Sequence, residues 1–129
     1  MADIVPRYVS SAVEGDVIII TINVQQIRDS TVSYALRDEI IGLIGAAQAR
    51  HVIFDMRSVQ FIGSVGLLAF LGVRRHLPDG RIVVSNLCET IRRLFALCRL
   101  IPTVLTAAAP FEVEATVDAA LARLHEGKV

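Results

Sequence analysis

HVIFDMRSVQFIGSVGLLAFL, residues 51–71, changes its hydrophobic period half-way along. Residues 51–55 are almost continuously apolar and too few for a helix, which predicts a strand buried on both faces of a sheet. From Gly63-Ser64-Val65-Gly66 the apolar residues continue through LLAFLGV to Arg74, Arg75 and His76. That run has the length of a helix, and its terminal cations suit the negative end of the helix dipole. A buried strand, a connector of about eight residues and an apolar helix together form the strand–helix half of an α/β unit.

The pattern extends in both directions. Upstream, VIIITINV at 17–24 is β-branched and apolar and predicts a central strand. Residues 4–10, before the Glu14-Gly15-Asp16 turn, are expected to pair with it as a hairpin. The hydrophilic QQIRDS then leads to a helix in which Val32, Leu36, Ile40, Leu43 and Ala47 recur at three- and four-residue spacing, with Asp29 or Ser30 as its cap.

Downstream, Pro78-Asp79-Gly80 reads as a turn and RIVVS as a third buried strand. Asn86 with Glu89 forms a capping-box-like start for a helix carrying Leu87, Ile91, Leu94, Phe95 and Cys98 on its apolar face, with its exit at Pro102. A last edge strand is expected at 103–106. A last helix is expected at 113–124, with Val117, Leu121 and Leu124 aligned and Glu112 and Glu114 at its anion-favouring start. The expectation is one α/β domain over residues 1–129, a mixed four- to five-stranded sheet with about four helices packed against it.

Composition narrows the functions. The 129 residues carry 13 basic and 13 acidic side chains, 53% apolar residues and no Trp. A nucleic-acid binder gathers a basic excess, which is missing here. Only Lys128, beside the terminal residue, is a lysine, so P-loop and Schiff-base chemistry lack their central residue. The first ten residues show no cationic leader before an apolar core, and no apolar run reaches the ~18 residues of a membrane span. Two cysteines suggest no disulfide framework, and the expected location is the cytoplasm without membrane insertion. His51, His76 and His125 match no ligand spacing, so no metal, cofactor or catalytic residue is assigned and the chain is not read as an enzyme.

Three residues remain informative. Asp55 ends a buried strand and is expected to bond backbone amides of the following loop. Ser64 lies between glycines at a helix start, where its hydroxyl can cap the first turn. The same place tolerates a covalently attached phosphate, because free amides and the dipole stabilise negative charge there. A hydrolase nucleophile elbow would need glycine where Ile62 stands. Cys98, on the apolar face, reads as core.

Within residues 51–71, Asp55, Ser58-Val59, Phe61-Ile62, Ser64, Gly66 and Leu67 fall in register with the signature of the STAS family, the sulphate transporter and anti-sigma factor antagonist domains, which this chain resembles. The resemblance continues as pattern through NLCETIRRLFALCRL and implies a STAS-like fold. In the family's single-domain members, the anti-anti-sigma factors, the serine matching Ser64 is phosphorylated by a serine kinase that is also the anti-sigma factor, and a phosphatase acts on the phosphorylated form. The resemblance therefore implies Ser64 as the phosphorylation site. The expected docking surface comprises Ile27, Arg28, Asp29 and Ser30 with Gly63, Ser64, Val65, Gly66 and Leu67. The family's acidic residue before the serine is Gly63 here, and its second serine is Val65. Two readings stay open: a phosphorylation-switched antagonist, and an unmodified STAS scaffold or adaptor subunit of a signalling or transport assembly. A homodimer is also left open.

Overall fold

Val17–Ile22 (β2), His51–Asp55 (β4) and Ile82–Ser85 (β6) are almost wholly buried, as their near-continuous apolar runs require of strands packed on both faces. They form the centre of a five-stranded sheet in a computed structural model that describes residues 8–104 and 107–126. Val9–Glu14 (β1) pairs antiparallel with β2, and the remaining neighbours run parallel in the order β1-β2-β4-β6-β7, with Glu112–Glu114 (β7) at the far edge. Four helices are present among the described residues: Ser30–Ala47 (α1), Ser64–His76 (α2), Glu89–Leu97 (α3) and Val117–Glu126 (α4). The mixed α/β architecture is the one the alternating pattern predicts.

Successive strand residues point to opposite faces, and the core divides accordingly. Ile18, Ile20, Ile22, Val52, Phe54, Ile82 and Val84 pack with Leu36, Ile40 and Ile44 of α1, Phe70 and Val73 of α2, and Ile91 and Phe95 of α3. Val17, Ile53 and Val83 face Ala120 and Leu124 of α4. A ladder of rings ties the first layer together: Phe54–Phe70 at 5.2 Å, Phe70–Phe95 at 6.4 Å and Phe95–Phe111 at 6.2 Å between centroids.

Several boundaries differ from expectation. The hairpin partner is Val9–Glu14, not 4–10; residues 4–7 lie outside the described residues, and Gly15, at φ 63°, makes the turn. Asp29 is the α1 cap, accepting from Val32 N at 2.8 Å. Asn86 does not cap α3: it adopts φ 56° and Cys88 takes the cap position without a side-chain bond. Cys98 is exposed rather than core, because α3 ends at Leu97 and the left-handed Arg99 turns the chain so that Leu100 is buried instead.

No strand forms at 103–104, and 105–106 lie outside the described residues. The edge position belongs to β7, whose Glu112 and Glu114 are therefore strand residues and not a helix start. Helix α4 begins later, with Thr116 Oγ1 accepting from Ala119 N at 3.1 Å. Glu112 accepts from Arg81 Nη2 at 2.6 Å and Arg123 Nη1 at 3.1 Å, while Arg123 also pairs with Glu114.

The hydrogen bonds from Arg81, then those from Arg123, hold the Glu112 carboxyl below the usual carboxylate range, against the opposing effect of burial. A carboxyl with a depressed folded-state pKa contributes stability that is complete above its unfolded value and fades as pH falls through the folded one. The stability difference between wild type and Glu112→Gln, measured by urea unfolding, is expected to shrink between pH about 6 and about 3. A difference that grows on acidification would contradict the assignment.

Candidate functional site

Two short strands build the site. Gln26–Ile27 (β3), in the loop before α1, pairs parallel with Phe61–Ile62 (β5), in the loop before α2. Gln25 O accepts from Gln60 N at 2.8 Å and Phe61 N at 3.1 Å, and Ile27 O accepts from Gly63 N at 2.8 Å. This ribbon draws the starts of α1 and α2 together. Ile27 and Ile62 are buried beneath it, which explains two isoleucines in otherwise polar or irregular stretches.

Gly63, at φ −81° and ψ 175°, is the α2 cap and has no side chain to offer the free amides; its carbonyl accepts from Leu67 N at 3.1 Å. Ser64 is therefore the first helical residue and not the cap that its sequence position suggests. It is exposed, and its hydroxyl makes no hydrogen bond among the described residues. A Cβ at Gly63 would meet nothing closer than Arg28 O at 3.5 Å, so the glycine is not required by space or by its extended backbone. Gly66 differs: a Cβ there would lie 2.7 Å from Ile62 Cγ2 and 2.9 Å from Ile27 Cγ2. Glycine at 66 is what lets α2 rest directly on the ribbon.

The structure thus brings together the nine positions expected from the sequence to dock a partner, but gives them different parts. Arg28, Asp29, Ser30 and Ser64 are exposed, whereas Gly63, Val65 and Leu67 are half-buried. Ile27 and Gly66 are buried and shape the surface from beneath. Asp29 spends a carboxylate oxygen on the α1 cap. The Arg28 guanidinium carbon stands 4.8 Å from the centroid of the Phe61 ring, a cation–π contact that nothing in the local sequence announces.

Asp55 fixes the start of the loop. Its Oδ1 accepts from Arg57 N at 3.1 Å and Asn86 Nδ2 at 3.0 Å, and Arg57 Nη2 lies 3.6 Å from Oδ2. Asn86 N in turn donates to Ala115 O at 3.2 Å, so one carboxylate links the ends of β4 and β6 to the segment after β7. Residues Thr90, Leu94 and Leu97 of α3 also border the site through a groove against Phe61 and Ile62. The sequence pattern assigns Leu94 to the core, gives Phe61 only as a residue of the family signature and does not single out Leu97.

A wider depression of about 550 Å³ lies on the α4 side, lined by Arg81, Glu114, Arg123 and Glu126. Its arginines are already paired with Glu112 and Glu114. Among the described residues no group of His, Cys, Asp and Glu side chains could hold a metal ion, and no helix is long and apolar enough to cross a membrane.

Residues 8–120 match the STAS domain family. Among solved structures, the anti-sigma factor antagonist SpoIIAA in its unphosphorylated form is 21% identical, with a TM-score of 0.64 over 91% of this chain and 97% of that one. The Bacillus cell fate determinant SpoIIAA in its phosphorylated form is 22% identical, with a TM-score of 0.64 over 90% and 98%. An anti-sigma factor antagonist from Mycobacterium paratuberculosis is 21% identical, with a TM-score of 0.68 over 91% and 92%. SLC26A9 is 14% identical and superimposes at a TM-score of 0.63 over 88% of this chain but 20% of its own. No curated protein matches the sequence.

Proposed function

The chain belongs to the STAS domain family, and from that premise we propose that it is an anti-sigma factor antagonist-like regulator acting in the cytoplasm through binding rather than catalysis. Its partner is a serine kinase that is also an anti-sigma factor, and the contact is switched at Ser64. The observation that carries this reading is Ser64 itself: exposed, unbonded, first in α2, and flanked by the exposed start of α1. Similar folds solved as SpoIIAA in unphosphorylated and phosphorylated forms support it.

The physical basis is local. The kinase passes the γ-phosphoryl of ATP to Ser64 Oγ; an O–P bond forms, ADP leaves and the hydroxyl proton goes to the kinase's base. The product carries about −1.5 to −2 charges on a chain balanced at 13 against 13. The free amides at the start of α2 stabilise that charge within the chain. A partner that had packed apolar surface onto the same turn must now desolvate a dianion or release it. A phosphatase restores the binding form. Ser64→Asp is expected to weaken partner binding at least about tenfold and Ser64→Ala to leave it within about twofold, read by titration calorimetry with the purified kinase. Equal binding by the two variants contradicts the switch.

The glycine at 63 favours a second reading, in which the same face docks without modification in a scaffold or adaptor. The occurrence of this fold as a fifth of SLC26A9 is compatible with it. In that reading the chain co-purifies with a stable assembly and Ser64 never carries phosphate.

A further inference from the structure

Between β5 and α3 runs an open groove of about 360 Å³ lined by Phe61, Ile62, Ile91, Leu94 and Leu97, with Arg93 and Thr90 on its α3 rim. Leu97 is 83% exposed and Phe61 42%, although α3 already buries Ile91 and Phe95 in the core. Two large apolar side chains bracketing a concave surface differ from the scattered exposed residues of an ordinary protein face. Because β5 continues directly into Gly63 and Ser64, the groove adjoins the turn proposed above as the switch.

Charge selects what fits there. At the β5 end, Arg28 stacks on Phe61, and among the described residues no carboxylate lies within ion-pair distance of it. Its neighbour Asp29 is turned to Val32 N, and position 63 has no acidic side chain. On the α3 rim, Arg93 is matched by Glu89 at 3.0 Å in an exposed pair. The groove therefore has an apolar floor, and beside it, against the ring of Phe61 that forms one wall, stands an arginine with no ion pair among the described residues.

We propose that this groove receives a segment of the protein partner in which leucine-like side chains are flanked by carboxylates. The apolar groups cover Phe61 and Leu97, and a carboxylate reaches Arg28. A basic segment would set like charge against Arg28 and lose affinity, and one free cation falls short of the phosphate contacts a nucleic acid needs. The assignment rests on the reading that the 63–67 turn faces a protein partner and adds to it the chemistry of that partner.

The test uses the full unmodified chain, labelled with ¹⁵N, and two helix-forming peptides of about four turns, both with leucines at i, i+3, i+4 and i+7. One carries glutamates at the flanking positions and the other lysines. The glutamate peptide is expected to shift the amide signals of Phe61, Thr90, Leu94 and Leu97 and to bind about tenfold more tightly than the lysine peptide. Arg28→Glu should reverse that preference, and Leu97→Ser should weaken both peptides with the spectrum otherwise folded. Equal binding of the two peptides, binding of neither, or shifts centred elsewhere overturns the proposal. Groove signals that shift with protein concentration alone overturn it in favour of a second copy as occupant. The peptides do not involve phosphate, so the two readings fail separately. If the peptides fail while Ser64→Asp still loses the kinase, only the acidic segment falls; if they succeed while both Ser64 variants bind alike, only the switch falls.

Discussion

Phe70→Ala is expected to lower the free energy of unfolding by about 3–5 kcal/mol, the range for removing a fully buried ring whose surroundings cannot collapse around the gap. Phe70 is 1% exposed and sits between two other rings, meeting Phe54 of β4 at 5.2 Å and Phe95 of α3 at 6.4 Å. Through this ring α2 meets both the sheet and α3. Against a total stability of about 5–15 kcal/mol for a domain of ordinary size, the loss is severe. Urea unfolding reads it directly, and Leu68→Ala, at a position 56% exposed on the same helix, is the control, expected within about 0.5 kcal/mol of wild type. A loss under about 1 kcal/mol for Phe70→Ala would mean that the ring ladder does not anchor α2.

Gly66→Ala sets two effects of opposite sign against each other. Alanine is favoured over glycine inside a helix by about 1 kcal/mol. Its Cβ, however, would stand 2.7 Å from Ile62 Cγ2, 2.9 Å from Ile27 Cγ2 and 3.2 Å from Ile27 O. Those methyl groups are attached at the β-carbon of buried residues and cannot swing aside as the end of a flexible chain can. Overpacking of this kind costs about 1–3 kcal/mol, and the net effect is expected to be destabilising. The damage should fall on the β3–β5 ribbon, seen as faster hydrogen exchange at Gly63 N–H, which donates to Ile27 O. Ile62→Ala should recover part of the loss in the double variant, a coupling expected only between residues that touch. A stabilised Gly66→Ala would contradict the close packing of α2 on the ribbon.

The legible parts of the fold are those where burial is written locally. Strands β2, β4 and β6 are buried almost throughout, so their apolar runs announce them. Strand β1 has one buried residue in six, Val9, and an exposed edge strand of this kind leaves little pattern from which to place it. Glu112 and Glu114 resemble a helix start in isolation, but their carboxylates belong to Arg81 and Arg123, residues of other elements. Cys98 follows the apolar period of α3 by spacing alone, while the left-handed turn at Arg99 ends that period first.

The candidate site divides in the same way. The 63–67 turn is visible in sequence because glycines around a serine at a helix start form a local signal. The ribbon is not, since it consists of two residues paired with two others from a different loop, and two residues carry no periodicity. Its position in the loop suggests an exposed Ile27, whereas pairing with Ile62 buries it. The groove against α3 depends on which side of Leu94 and Leu97 the core leaves open, a fact of packing that periodicity assigns to the interior.

The central claim is that Ser64 is a switch. It is tested most directly by intact-mass measurement of the full chain recovered from its native cell, beside Ser64→Ala expressed in the same way. The account predicts a phosphate-sized increment on a fraction of wild-type molecules, removed by a serine phosphatase and missing in Ser64→Ala. An increment that persists in Ser64→Ala, or wild-type protein without any increment under growth and stress alike, would contradict it.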